Sequence, residues 1–403
     1  MAENTDVVVV GGGYAGVMAA NRLTQRDDVT VTLINPRPAF VHRIRLHQTV
    51  GGAGDPVVDY REILAENVHL MVDSVTRIDA AERSVTPATG GPLGYDYLIY
   101  AVGSGSADPR VPGAAEYAYP IATLEEAQRL RPVLEAAPRG AAVTVVGAGA
   151  LGIEAAAELA ETGRTVTLAC GGTFGPYLHP RVRRSITRRL VERGVSVLEG
   201  PDAKVAAVTQ DAVRLRDGRT VPSEVTLWTA GFGVPQLAAR SALRTDALGR
   251  LLTDETLTSM DDTRIVAAGD SAAPSGLPLR MSCQSANPLG AHAADTVLSR
   301  IAGEPPAVID VGFFGLCVSL GRRDATVQLA SRDDTANLLS VSGRLAVKIK
   351  ESSYTGLIGQ LADEARKPGS HTWKFKDTNR RQLVRSRRDE AAATVGRAAQ
   401  PGT

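Results

Sequence analysis

Val7-Val8-Val9-Val10-Gly11-Gly12-Gly13-Tyr14-Ala15-Gly16 runs four β-branched residues into G-x-G-x-x-G and then into small residues at helical spacing. The valines predict a strand buried on both faces. The first glycine of such a turn bends the chain out of the strand. The second lets backbone approach a pyrophosphate with no Cβ in the way, and the third lets the helix close on the strand. A phosphate there meets free N–H groups at the positive end of the helix dipole. Val29 to Ile34 supplies a second strand, completing a βαβ unit. The same device recurs at Val143-Thr144-Val145-Val146-Gly147-Ala148-Gly149-Ala150-Leu151-Gly152, with Thr165 to Ala169 as its second strand. Two matched copies predict two dinucleotides on one chain. That arrangement suits redox chemistry, because a hydride can pass between two bound cofactors.

Both copies depart from the pattern at one place. The end of each second strand should carry an acid for the ribose hydroxyls. Asn35 and Cys170 stand there. Asn35 can still hydrogen-bond a hydroxyl. The missing carboxylate at Cys170 removes the repulsion that excludes a 2′-phosphate. His179, Arg181, Arg183 and Arg184 come late for a 2′-phosphate site, so NADH and NADPH both stay open.

The chain has 403 residues, a net charge of +1 and a hydrophobic share of 43%, enough for two or three globular units. No apolar stretch approaches the ~18 residues that would span a bilayer. The chain starts directly on its first strand, which predicts no leader. Cys170, Cys283 and Cys317 lie too far apart in sequence for a disulfide framework or a metal site. A reducing cytoplasm is expected. From Lys374 to Thr403 there are eight Lys/Arg against three acids, which reads as a solvated, disordered or loosely helical basic tail, with attraction to an anionic membrane surface as the alternative.

The expected fold is α/β: two Rossmann-like nucleotide-binding domains, the first discontinuous, plus a small C-terminal α+β domain. Residues 1–118 and 251–310 form the first domain, 119–250 the second, 311–375 the third and 376–403 the tail. The return near Leu251 rests on the strand pattern Arg264 to Ala268, followed by Gly269-Asp270. The third block shows strand alternation at Ala325 to Leu329 and Leu345 to Ile349.

Gly269-Asp270 after a late strand resembles the third fingerprint of the two-dinucleotide-binding flavoproteins. Leu98-Ile99-Tyr100-Ala101-Val102-Gly103-Ser104 is similar to the strand exit beside FAD in that superfamily, and Val225 to Phe232 to its strand returning from the NAD domain. Within it, the chain most resembles type II NADH:quinone oxidoreductases and apoptosis-inducing-factor-like flavoproteins. The disulfide reductases fit poorly, since no cysteine precedes Cys170. The resemblance implies FAD at Gly11, Gly13, Tyr14, Ala15, Gly16, Asn35, Arg37, Arg45, Val75, Ala101, Gly103, Gly269 and Asp270. It implies NADH or NADPH at Gly147, Gly149, Leu151, Gly152, Glu154, Cys170 and Gly231. Flavin-adjacent candidates are Arg45, His47 and Gln284, and no general base is expected in the hydride step. By the same resemblance, the helix after Met281-Ser282-Cys283-Gln284 points its N-terminus at the flavin. Asn287 and Pro288 are an N-cap and N1 pair for it, unless the helix begins nearer Gln284.

These implications give an FAD-dependent NAD(P)H oxidoreductase passing electrons to a quinone or quinone-like small acceptor, reached through an opening lined by His47 and Gln284. A reductase for a ferredoxin-like protein or a biosynthetic small molecule is one alternative. A non-enzymatic, redox-responsive FAD/NAD(P)H-binding protein is another. No thiol step is expected; an essential Cys283 or Cys317 would move the chain toward sulfide:quinone reductases. No nucleic acid partner is expected, and a homodimer stays open. Leu383, Val384 and Val395 are the tail's only large aliphatics, so membrane contact through it should be weak and salt-reversible.

Overall fold

The computed structural model describes residues 4–387 and 389. The first half runs β1 (Thr5–Val10), α1 (Tyr14–Leu23), β2 (Val29–Asn35), β3 (Val68–Val72) and β4 (Tyr97–Tyr100). A second, similar unit follows with β5 (Ala118–Pro120), α2 (Leu124–Ala136), β6 (Ala142–Val146), α3 (Ala150–Glu161), β7 (Thr165–Cys170), α4 (Pro180–Val191), β8 (Ser196–Glu199) and β9 (Val225–Trp228). The chain then returns through β10 (Ile265–Ala267) and α5 (Cys283–Ile301). It ends in β11 (Gly315–Ser319), β12 (Ala325–Ala330), β13 (Ala336–Ser342) and α6 (Arg344–Arg366).

Two parallel sheets result. The first has the order β10-β4-β1-β2-β3 and the second β5-β9-β6-β7-β8. The valine run lies in the centre of the first. Val7 and Val9 pack under α1, α5 and the end of α6, while Val8 and Val10 pack on the opposite face against Leu237, Ala238 and Leu251. Successive strand residues point to opposite faces, so only a strand covered on both sides can use four valines in a row. Leu237, Ala238 and Leu243 already belong to this first core, and the Ala238 N–H donates to the Tyr100 hydroxyl. The packing therefore crosses back to the first unit ahead of Leu251.

Local signals fix the helix ends. Thr123 and Glu126 form a reciprocal capping box on α2. His179 accepts the Arg181 N–H at the start of α4, with Pro180 in its first turn. One expected start is corrected. α5 begins at Cys283 with Ser282 as N-cap, so Pro288 lies inside the helix and Asn287 is not a cap. The Asn287 amide donates to Gln360 of α6 instead.

β11, β12 and β13 form an antiparallel sheet. Leu345 to Ile349, expected as a strand, is the first part of α6. Its alternation also fits a helical stripe that continues as Ala346, Lys350, Tyr354 and Leu361, all buried, and the longer period wins. The expected solvated, disordered or loosely helical tail starts as a helix with two buried positions. Residues 380–387 are helical, Arg380 is buried against Glu255, and Val384 is buried. The remainder of the tail, with Val395, lies outside the described residues.

Candidate functional site

The two glycine turns are geometric twins. Gly11 and Gly147 take φ of +106° and +107°, where an L side chain is strained, and a Cβ there would strike Ala101 O and Ala230 N. A Cβ on Gly16 or Gly152 would collide with the carbonyl of its own turn, at Gly11 or Gly147. A Cβ on Gly13 or Gly149 would meet nothing within 4 Å. These two helix N-caps, with no side-chain cap bond, therefore open onto space where a pyrophosphate fits. A Cβ on Gly269 would come within 3.0 Å of Ala15 Cβ.

The turns differ in what surrounds them. The first is braced by side chains that bond its backbone. Asn35 accepts the Gly12 N–H (3.0 Å) and donates to Arg37 O (2.8 Å), and the Tyr60 hydroxyl donates to Gly12 O (2.7 Å). Arg37 forms a bidentate pair with Glu125 on α2, which holds that carboxyl down to about 2. Val75 packs at the edge of the core around Ile34. The second turn stands on the wall of a cavity of about 1630 Å³. Gly147, Gly149, Leu151, Glu154 and Gly231 line it together with Tyr14, Ser104, Asp270, Cys283 and Gln284. Gly103 sits next to Ser104, and Gly152 and Cys170 lie behind the wall.

Asp270 is placed as a carboxylate waiting for donors. Its Oδ2 accepts the Ser104 hydroxyl (2.7 Å), while its Oδ1 is buried without a partner. A buried acceptor left open normally has a use. Arg43, which sequence reasoning passed over in favour of Arg45, reaches this corner. It donates to Ser104 Oγ (3.3 Å) and to Ala122 O (3.1 Å), so it ties the first unit to the second across the cavity. Arg45 turns the other way, pairing with Glu351 (2.8 Å) and lying over the Tyr354 ring, and does not line the cavity.

His47 does not line the opening either. It is 1% exposed and lies 3.5 Å from Glu154 Oε2, without hydrogen-bond geometry. Glu154 is engaged by Lys350 and by the Ser319 N–H (3.0 Å), and Lys350 also donates to Ser319 Oγ. Burial pushes the Glu154 carboxyl up, but Lys350 and His47 outweigh it, and the group stays below its ordinary value. Burial holds the His47 imidazole at about 4 despite Glu154. His42 is its counterpart at the first turn. It meets the Tyr14 hydroxyl at 2.9 Å, and burial, then Arg45, lowers it to about 4. Residues 42–47 thus lean on the helix of each glycine turn.

Gln284 lines the cavity as expected, though its side chain holds the third domain in place by accepting the Phe314 N–H (3.1 Å). Cys283 and Cys317 also line it. Burial, with Asp270 next, pushes the Cys283 thiol up to about 12, and burial raises Cys317 as well. Both are poor sources of thiolate. Lys350, Tyr354 and Phe314 complete the wall. Among the described residues no group of side chains could hold a metal ion, and no helix is long and apolar enough to cross a membrane.

The sequence profile described as pyridine nucleotide-disulphide oxidoreductase matches residues 5–294. An NADH dehydrogenase-like protein of Mycobacterium tuberculosis is 30% identical over 352 residues, covering 80% of this chain and 87% of that protein. A type II NADH:quinone oxidoreductase of the same organism is 27% identical over 346 residues, covering 75% of this chain and 74% of its own. The sulfide:quinone oxidoreductase of Aquifex aeolicus superposes with a TM-score of 0.76 at 19% identity, over 91% of this chain and 93% of that one, which is a likeness of fold.

Proposed function

From a chain that belongs to the pyridine nucleotide-disulphide oxidoreductase family, we propose an enzyme that passes electrons from NADH through FAD to a quinone or quinone-like small molecule. The coarser part is plain: this is an oxidoreductase of the FAD and nicotinamide-dinucleotide type. The acceptor and the role of each residue are the proposal. One observation carries it. A single cavity is bounded by the second glycine turn, by Asp270 and the start of α5, and by a third-domain wall of Phe314, Lys350 and Tyr354.

The residues fit the two dinucleotides. Gly13 and Gly149 leave the helix N-termini open, and Asp270 Oδ1 offers a free acceptor for a ribityl hydroxyl. When bound, the flavin supplies the chemistry, taking a hydride on one side and releasing electrons on the other. The protein supplies position and electrostatics. Arg43 and Ser104 fix Asp270. The N-terminus of α5 brings a positive dipole end to the cavity. Lys350, held by Glu154 and Ser319, is a buried donor on the acceptor's wall, suited to negative charge developing on a carbonyl oxygen. Neither Cys283 nor Cys317 carries a step in this reading.

NADH is preferred for a local reason. Glu199 is the register partner of Cys170, and its carboxylate accepts the Phe174 N–H (3.1 Å). It supplies, from β8, the negative charge that the end of β7 lacks, and a 2′-phosphate would meet it. The test is rapid mixing of the FAD-loaded protein with NADH and NADPH, followed by an acceptor panel. Fast bleaching by NADH and reoxidation by short-chain quinones is the expected result. Bleaching without reoxidation by any quinone, or reoxidation only by a ferredoxin-like protein, would overturn the acceptor class.

A further inference from the structure

A second, smaller cavity of about 530 Å³ lies where the end of α6 meets the stretch from Ser370 to Phe375. Trp373 and Phe375 give it aromatic surface, and Arg366, Lys367, Lys374 and His371 give it nitrogen groups. Asp363 is the acid among its lining residues, and it is already paired with Arg366 (2.9 Å). Lys367 and Lys374 have no ion-pair partner among the described residues. His371 Nε2 is buried without a partner, and such an atom normally has a use. The backbone that carries these groups is fixed. Glu364, 0% exposed, accepts the Gly369 N–H (2.7 Å) and the His371 N–H (2.6 Å). Arg22 pairs with Glu364 (3.2 Å) and donates to His371 O (3.1 Å). The turn out of α6 is thus tied to the interior before any ligand arrives.

We propose that this cavity is an effector site for a small aromatic anion, a carboxylate or phosphate carried on a flat ring. Charge selects an anion. Arg366 and Lys367 also answer the negative end of α6, but Lys374 and His371 stand outside the helix and do not. The walls select a ring. Trp373 keeps its indole N–H on Gly312 O (2.9 Å), so its polar atom is engaged and it meets a ligand as apolar surface. The volume falls within the roughly 300–1,000 Å³ of small-molecule sites. Position makes the ligand an effector. Gln360 and Trp373 line both this cavity and the main one. The Trp373 ring lies 6.4 Å from that of Phe314 on the acceptor's wall, and Gln360 accepts the Asn287 amide of α5 (3.0 Å). An occupant would press on the acceptor's side of the main cavity without entering it. This coupling rests on the acceptor reading; the binding does not.

The test is equilibrium dialysis of the full chain, loaded with FAD, against benzoate, phenyl phosphate and inorganic phosphate. The parent is compared with the double variant Lys367→Gln, Lys374→Gln, whose sites are exposed and should leave the melting temperature unchanged. At least one ring-bearing anion should bind the parent, and the tighter of the two names the acid group. Inorganic phosphate should bind more weakly. The double variant should hold the ring-bearing anion about tenfold less tightly, because its charge-assisted contacts are gone. The bound probe should change the KM for a short-chain quinone and leave the rate of bleaching by NADH as it was. No binding of either ring-bearing anion, or equal binding by variant and parent, would overturn the site. A probe that shifts the flavin absorbance would overturn it too, since it would lie in the main cavity. Inorganic phosphate bound as tightly as phenyl phosphate would overturn the aromatic part. Binding with no change in KM would support the site and overturn the coupling. A parent that binds the probe yet reduces no quinone would support the site and overturn the acceptor reading.

Discussion

The turn at Gly11 and the turn at Gly147 have nearly the same backbone and different surroundings. The first is braced by hydrogen bonds with Asn35 and Tyr60 and backs onto the strand exit at Ala101, and Asp270 lies in the cavity with a free oxygen. The second stands on the wall of the large cavity. A cradle braced by side chains suits a cofactor that stays. A cradle on an open wall suits one that arrives, reacts and leaves. The duplicated motif states that two dinucleotides bind; only the packing around each copy separates the resident from the visitor.

The most severe way to break this pairing is to fill each open space in turn. Gly149→Val should cut flavin reduction by NADH about a hundredfold or more while FAD stays bound, since charge-assisted N–H contacts worth roughly 1.5–3 kcal/mol each are blocked. Gly13→Val should do the reverse and yield a colourless protein. Bound-flavin absorbance and stopped-flow bleaching read the two arms, and identical behaviour of the two variants would erase the distinction.

Next is the ion cluster beside the second turn. Lys350→Met strands Glu154, which is 8% exposed, and breaking a buried pair this way costs about 3–5 kcal/mol. Denaturant unfolding should show that loss, and adding Glu154→Gln should return most of it. A single variant as stable as the parent would mean that the pair is not held as described.

The histidines compare the turns through pH. His42 and His47 both sit at about 4 when folded against an ordinary value of about 6.5. The unfolded chain therefore binds more protons between pH 4 and 6.5, and stability rises with pH across that window. Each histidine contributes a penalty of roughly 3 kcal/mol that is complete only at the acid end. Melting temperatures measured from pH 7 to 5 should fall, and His47→Asn should flatten the slope. An unchanged slope would place the titration elsewhere.

The smallest effect separates the turns by their partners. Asp270→Ala should weaken FAD retention by about 1.5–3 kcal/mol, the worth of a hydrogen bond to a charged group, and leave the affinity for NADH unchanged. Equilibrium dialysis of the flavin measures the first, and a matching loss of NADH affinity would count against the assignment.

Much of this was legible in the chain. A glycine turn is a local device, and both copies could be read from short windows. Gly269-Asp270 and the exit at Ala101 were readable because they sit at strand ends of the same fold. The cavity's far wall was not. Lys350 lies in a stretch whose alternation mimics a strand, and its partner Glu154 is far away in sequence, so no window contains both. Arg43 and Arg45 are two residues apart in one short turn, and sequence offers nothing to decide which faces inward. The structure decides by giving Arg45 a partner in Glu351 and a ring in Tyr354. Asn287-Pro288 looked like a helix start because that pair favours one, but Ser282, by accepting the Ser285 N–H, starts the helix earlier.

The central claim is that one turn keeps its dinucleotide and the other exchanges it. The direct measurement is to pass the purified protein through a desalting column, identify what remains bound, and then mix it anaerobically with NADH. The account predicts a single FAD per chain, no retained nicotinamide nucleotide, and rapid bleaching on mixing. Two flavins per chain, or a single FAD that NADH leaves oxidised, would contradict it.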